Sequence, residues 1–359
     1  MNADGLPRVL DAHVDFLGAC EVEQRDFLAQ ADEGHVDLPR ALAGGLGGLL
    51  ASVYLRPSQA ETNPLGYMTK YVDDALRLVD RADGAIWLVR TADQLDRCFD
   101  GGPFAFVLHL EGAEPVSRSL KELRPLYEMG VRSIGVVHAR TSIFGSGVPI
   151  PWATTGQIHG LPRSVHDFGL RNGRPQPFPT TGLTEAGREL VHECQRLGIT
   201  VDVSHLTEKG FWDTLSAATR PVIASHSSAH AVAPHPRNLT DEQLRALAGQ
   251  GGVAGINFFV CFIRPDGARD TDTPLEQILA HIDHAVKVAG EEHVGIGTDF
   301  DGAVMPDCVP DASRMTGVVR AMSSQLGYSD DRIARICNGN FRRVLRDTWN
   351  DGPAKAVTT

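Results

Sequence analysis

The stretches ITVDVSH (199–205) and PVIASH (221–226) share one design: a short apolar run that stops on Ser-His. A helix-sized gap separates them. Near-continuous apolar runs of this length fit strands covered on both faces, as in a parallel sheet. Six more such runs follow the same rhythm: RVLDAHVD (8–15), GLLASVYL (48–55), FAFVLHLEG (104–112), RSIGVVH (132–138), GVAGINF (252–258) and HVGIGTDFD (293–301). The segments between them carry helix signals. Thr184 can cap a helix whose stripe is Leu190, Val191, Cys194 and Leu197, with Gly198 ending it. Thr240 and Gln243 form a capping box, and Thr273 reads as an N-cap before Pro274 and Glu276. One further helix is expected near residues 66–82.

Strands alternating with helices in this way predict a (β/α)8, TIM-like barrel over residues 1–359 as a single domain. An open doubly wound sheet would place a glycine-rich phosphate loop after the first strand, and none follows LDAHVD. The run GGLGGLL (44–50) precedes a strand and reads as a turn. The Pro- and Gly-rich stretch 141–181 breaks the rhythm after the fourth run, which points to an excursion or lid over the site.

A net charge of −11 argues against a nucleic-acid partner, which needs a basic face. No apolar run approaches the roughly 20 residues of a membrane span, and MNADGLPRVLDAHVD lacks the pattern of a secretion signal. The six cysteines are scattered without a C-x-x-C pair. They read as reduced thiols, and a cytoplasmic location with no membrane partner is the expectation.

In such a barrel every strand end faces one rim. Those ends offer His13, Asp15, Glu111, His138, His205, His226, Asn257, Asp299 and Asp301. His13 and Asp15 are two apart on a strand and leave the same face. With Glu111, His205 and His226 they make five N/O ligands and no thiolate, a set suited to zinc and related divalent ions. Five exceed what one catalytic zinc takes, and suit two metals bridged by a carboxylate. Any of the 14 histidines taken alone is more often structural than a ligand. His35, His159, His166, His192, His281 and His284 read as structural, and His109 at most as a support for the ligands.

The blocks DAHVD, LEGAEPV, GVVH, GLTEAGRELVHECQRLGITVDVSH, PVIASHSSAHAVAPHPRNLTDEQLRALAGQGGVAGINFF, HVGIGTDFDG and NGNFRRVL run in order through nearly the whole chain. Through them the chain resembles the membrane (renal) dipeptidase family of binuclear zinc dipeptidases. The resemblance implies that His13, Asp15 and Glu111 hold one Zn2+, and that Glu111, His205 and His226 hold a second, with Glu111 bridging. It implies Asp299 as the catalytic acid/base, His138 as the group polarising the scissile carbonyl, and Arg237 as the grip on the substrate's C-terminal carboxylate. Asp301 reads as a supporting residue or a helix cap. The implied substrates are L-Xaa-L-Xaa dipeptides, with a D residue tolerated second, and relatives suggest a homodimer by analogy. The runs ARTSIFGSGVPIPW and NFFVCFI depart from the family pattern, which bears on the substrate pocket more than on the chemistry. Two alternatives stay open from the residues alone: a metal hydrolase of an amide, lactone or phosphoester, and an inactive binding barrel.

Overall fold

The computed structural model describes residues 1–2, 4–149 and 181–349, with backbone pairing also at 170–171 and 174–175. Its main sheet is built from β1 (Val9–Val14), β2 (Leu46–Val53), β3 (Ile86–Leu88), β4 (Phe104–Leu110), β5 (Val131–Gly135), β6 (Thr200–Asp202), β7 (Ile223–Ala224), β8 (Val253–Ile256) and β9 (Val294–Ile296). All pairings in it are parallel. Eight strands close in the order β1-β2-β4-β5-β6-β7-β8-β9 and back to β1, giving the expected (β/α)8 barrel. The most extensive joint, β2 on β4, runs from Gly48↔Ala105 to Val53↔Leu110. The ring closes where Asp11 of β1 pairs with Ile296 of β9. There the Asp11 carboxylate also accepts from Thr298 N and Oγ1, at 2.9 and 2.6 Å.

β1, β2 and β4 are buried at every position, which is why their sequences are largely apolar rather than alternating, with Asp11, His13, Ser52 and His109 as the polar exceptions. The helices cover the outer face by one stripe each. In the helix Pro64–Arg81 the buried residues Met68, Tyr71, Val72, Ala75 and Leu78 recur at helical spacing, and Asn63 accepts from Gly66 N at its start. Glu185–Leu197 begins on the Thr184 cap and ends on Gly198 in the left-handed region, and Asp241–Gly249 carries the Thr240–Gln243 box.

Three details depart from the sequence reading. β3 is a ninth strand, lying outside the ring on the edge of β4 that β5 occupies further along. With three residues, two of them half-buried, it has no periodicity to announce it. Only Gly44 and Gly45 of the GGLGGLL run form a turn, since β2 begins at Leu46. At Gly48 an added Cβ would stand 2.5 Å from the Ala105 Cβ, so glycine is what lets β2 approach β4. Finally, Pro274 rather than Thr273 sits at the N-cap of Leu275–Ala289. The Thr273 hydroxyl is taken instead by the Asp270 carbonyl at 2.5 Å and by Arg264 at 3.2 Å. The proposed excursion at 141–181, with His159 and His166, lies largely outside the described residues.

Candidate metal centre and active site

The parallel ring points all its strand ends at one rim, and seven side chains meet there. Three groups of donor atoms lie within 4.8 Å of one another: His13, Glu111 and His226; Glu111, His138 and His205; and His13, Asp15 and Asp299. Glu111 Oε1 is central to them. It lies 2.8 Å from His205 Nε2, 3.4 Å from His13 Nε2, 3.6 Å from His226 Nε2 and 3.7 Å from His138 Nε2. His13 Nε2 is 3.5 Å from Asp15 Oδ2, Asp15 standing just past the end of β1. Thus His13, Asp15, Glu111, His138, His205, His226 and Asp299, brought from positions far apart in the chain, share one cluster.

The strands stop short of most of these residues, and the chain turns to deliver them. His205 has φ 69° and Asp299 φ 70°, both in the left-handed region that non-glycine residues rarely occupy. Such conformations cost of order 1–3 kcal/mol and persist where the surroundings enforce them, commonly at functional sites.

The donor set fits cations. His226 Nε2 and His205 Nε2 face each other at 2.9 Å, while His13 Nε2 and Asp15 Oδ1 are buried without a hydrogen-bond partner. Burial, and then the cations and imidazoles nearby, push His138, His205 and His226 well below the usual histidine range, so their rings are neutral, the form that ligates. Burial would lower His13 as well, but the carboxylates of Asp15 and Glu111 outweigh it and raise the group. Burial, reinforced by Asp15, lifts Glu111 to about 8. Burial also lifts Asp299 to about 6. Packing three carboxylates in a buried site where three of the four imidazoles are neutral is costly, and a divalent ion offsets that cost.

Two further polar groups border the cluster. Asn257 Nδ2 donates to Asp299 Oδ2 at 2.9 Å, and Asn257 Oδ1 accepts from Phe259 N at 2.6 Å. Arg237 is only 3% exposed, yet among the described residues no carboxylate lies within ion-pair distance of it. Its contacts are Ser227 Oγ at 3.3 Å, the His226 carbonyl at 3.2 Å and the Phe262 ring at 5.6 Å, while its Nε has no partner. Asp301 is engaged elsewhere: it pairs with Arg25 at 2.8 Å and accepts from His35 N at 2.6 Å, tying two loops together rather than capping a helix.

Cavities open on both sides of the cluster. One of about 300 Å3 is lined by Asp15, Glu111, His138 and Asp299 together with Tyr54 and Phe259. The other, about 620 Å3, is lined by His205, Arg237, Ser227, Thr207, Trp212 and His230 among others. Tyr54, whose ring lies 4.7 Å from that of His138, was not singled out by sequence. It follows the end of β2 as a half-buried aromatic, so nothing local marks it. Phe259 and Phe262, from the run NFFVCFI, give the smaller cavity an apolar wall.

A parallel barrel carrying a histidine–carboxylate cluster on its rim has the make-up of a metal-dependent enzyme. Residues 7–163 and 168–353 match the family described as membrane dipeptidase (peptidase family M19), and the chain belongs to that family. It is 33% identical to a solved metallopeptidase from Rhodobacter sphaeroides liganded with a phosphinate mimic of the dipeptide L-Ala-D-Ala; the match covers 96% of this chain and 100% of that one, with a TM-score of 0.82. A solved dipeptidase of the same peptidase family is 34% identical, over 95% of this chain and 98% of that one, also with a TM-score of 0.82. The dipeptidase tcpJ of Claviceps purpurea is 29% identical, over 97% of this chain and 78% of its own length. The chain is therefore a metallo-dipeptidase-family enzyme with a metal-binding His/Glu cluster. None of its described helices is long and apolar enough to cross a membrane.

Proposed function

We propose that this chain hydrolyses the peptide bond of dipeptides at a binuclear zinc centre, and that a D residue is accepted at the C-terminal position. His13, Asp15 and Glu111 would hold one ion, Glu111, His205 and His226 the other, with Glu111 between them. When bound, the pair of ions supplies the nucleophile by drawing the pKa of a shared water toward about 7. The observation that carries the reading is a buried Arg237, with no ion-pair contact among the described residues, beside a seven-residue donor cluster.

The chain's own groups do the rest. Arg237 presents a planar fork that pairs bidentately with a carboxylate, which fixes the substrate's C-terminus in the larger cavity. The N-terminal side chain then enters the cavity walled by Tyr54, Phe259 and Phe262, which favours apolar residues there. His138, held neutral, donates to the carbonyl oxygen as negative charge develops on it, an interaction whose loss typically costs about 10²–10³ in rate. Asp299 takes the proton from the attacking water and returns it to the leaving amine. Asn257 holds one of its oxygens and leaves the other to exchange that proton. The phosphinate mimic of L-Ala-D-Ala bound by the Rhodobacter relative supports the stereochemical part of the reading.

A dipeptide panel assayed before and after exhaustive chelation, with metal counted per chain, tests this. The expected result is two ions per chain, loss of turnover on stripping and its return with zinc. Undiminished turnover of the stripped protein would refute the metal reading. Hydrolysis of lactones or phosphoesters but not dipeptides would refute the substrate.

A further inference from the structure

The serine preceding each histidine in the two Ser-His endings takes no part in the chemistry above, yet both serines converge beneath the cluster on Asp202. Asp202 Oδ1 accepts from Ser204 N at 3.0 Å and from Ser225 N at 2.9 Å. Asp202 Oδ2 accepts from the Ser225 hydroxyl at 2.6 Å and also lies 3.5 Å from His109 Nε2. Ser204 Oγ in turn accepts from His226 N at 3.2 Å. The Ser225 oxygen is 2.7 Å from His226 Nδ1 and 3.3 Å from His13 Nδ1. Ser225 and His13 are fully buried, and Asp202 and His226 are nearly so.

We propose that Ser225 and Asp202 are positioning residues that fix the tautomer of two imidazole ligands at once, one for each ion; the inference rests on the binuclear reading above. The argument is one of proton counting. A serine hydroxyl has one hydrogen and two lone pairs. Its hydrogen is committed to Asp202, an acceptor-only group at short distance. Only lone pairs remain for the two rings, so His226 and His13 each donate from Nδ1 and each keep the Nε2 lone pair that faces Glu111. One hydroxyl thereby sets the ligand form of both histidines, and Asp202 sets the hydroxyl. The repeated Ser-His ending supplies the two backbone N–H groups that lock Asp202 in place for that task.

Ser225→Ala in the full chain removes the shared acceptor with little change of volume. Zinc affinity measured by competition with a chromophoric chelator is expected to weaken about 10- to 100-fold at both binding steps, the usual effect of losing a partner behind a ligand. Asp202→Asn keeps an oxygen for the two backbone N–H groups but cannot accept the serine hydrogen, and should weaken both steps in the same way. In the zinc-loaded wild type, 15N spectra of labelled histidine should show His13 and His226 protonated at Nδ1. Unchanged affinity in Ser225→Ala, weakening of one step alone, or protonation at Nε2 would each overturn the proposal. Should Ser225→Ala fail to fold, Asp202→Asn and the wild-type spectrum decide the matter. A wild type that binds fewer than two ions at any zinc concentration would instead bring down the binuclear reading and this inference with it.

Discussion

Arg237→Met separates what a residue does for folding from what it does for substrate. Burial lowers the guanidinium to about 10, against an ordinary value of 12.5, which amounts to about 3 kcal/mol spent to keep it charged in the fold. The sign follows from linkage: the folded pKa is depressed but stays well above 7, so at neutral pH the group is charged in both states and the full cost is present. Against that stand two hydrogen bonds of about 0.5–1.5 kcal/mol each and a cation–π contact of about 0.5–2 kcal/mol. Replacing Arg237 by a neutral chain of similar length should therefore leave stability within about 1–2 kcal/mol of wild type. Substrate binding should behave differently. Removing one partner of a buried, hydrogen-bonded charge pair costs about 2–5 kcal/mol, or about 30- to 4000-fold in kcat/KM. The loss should fall on dipeptides and spare their C-terminal amides, which the wild type itself would hydrolyse poorly. Denaturant unfolding and steady-state kinetics on one dipeptide and its amide provide both numbers. Equal losses on the two substrates, or a dipeptide kcat/KM within threefold of wild type, would refute the assignment.

Three other outcomes follow. Asp299→Asn should lower kcat about 10²–10⁴-fold while the chain still takes up two ions, as metal analysis beside steady-state kinetics will register; a kcat within tenfold of wild type would deny the proton-transfer role. His281 accepts from Ala229 N at 3.0 Å and faces the Ile263 carbonyl at 3.0 Å, and burial holds it down to about 4. Its folded pKa lies below the unfolded one, so stability should decline as pH falls from about 6.5 toward 4, by up to about 3 kcal/mol, and His281→Gln should flatten that slope in denaturation curves. At Gly297 an added Cβ would stand 1.8 Å from the Ser225 carbonyl oxygen, whereas Gly317 has nothing within 4 Å. Gly297→Ala should thus cost about 3 kcal/mol or more and Gly317→Ala little, as thermal unfolding of the pair would show.

What could be read from the sequence was whatever is encoded by neighbours along the chain. Short, nearly continuous apolar runs located the ring strands, most of them ending at His, Asp or Glu, and two-residue spacing put His13 beside Asp15. Caps such as Thr184 and Thr240 were legible because the capping residue and its partner are three positions apart. Thr273 misled because its hydroxyl found a tertiary partner, Arg264, that no local pattern contains. β3 escaped because three residues, two of them half-covered, carry no period. The support beneath the metal cluster was hidden for a different reason: Asp202 sits inside VDVSH as an apparent interruption of an apolar run. Only the juxtaposition of β6 with β7 reveals what it accepts. Likewise, HPRN says nothing of the isolation of Arg237, which depends on every element around it.

The joint that closes the ring has a consequence for how this enzyme can be taken apart. His13 comes from the first strand and Asp299 follows the last, and their backbones bond directly, Asp299 N donating to the His13 carbonyl at 3.1 Å. A contiguous fragment that lacks either end of the ring therefore loses His13 and Asp15 or Asp299 from the cluster. Removing either end of the ring disassembles the chemistry wholesale, and a rearranged chain can keep it only if new termini are cut in a connector while residues 13 and 299 stay side by side.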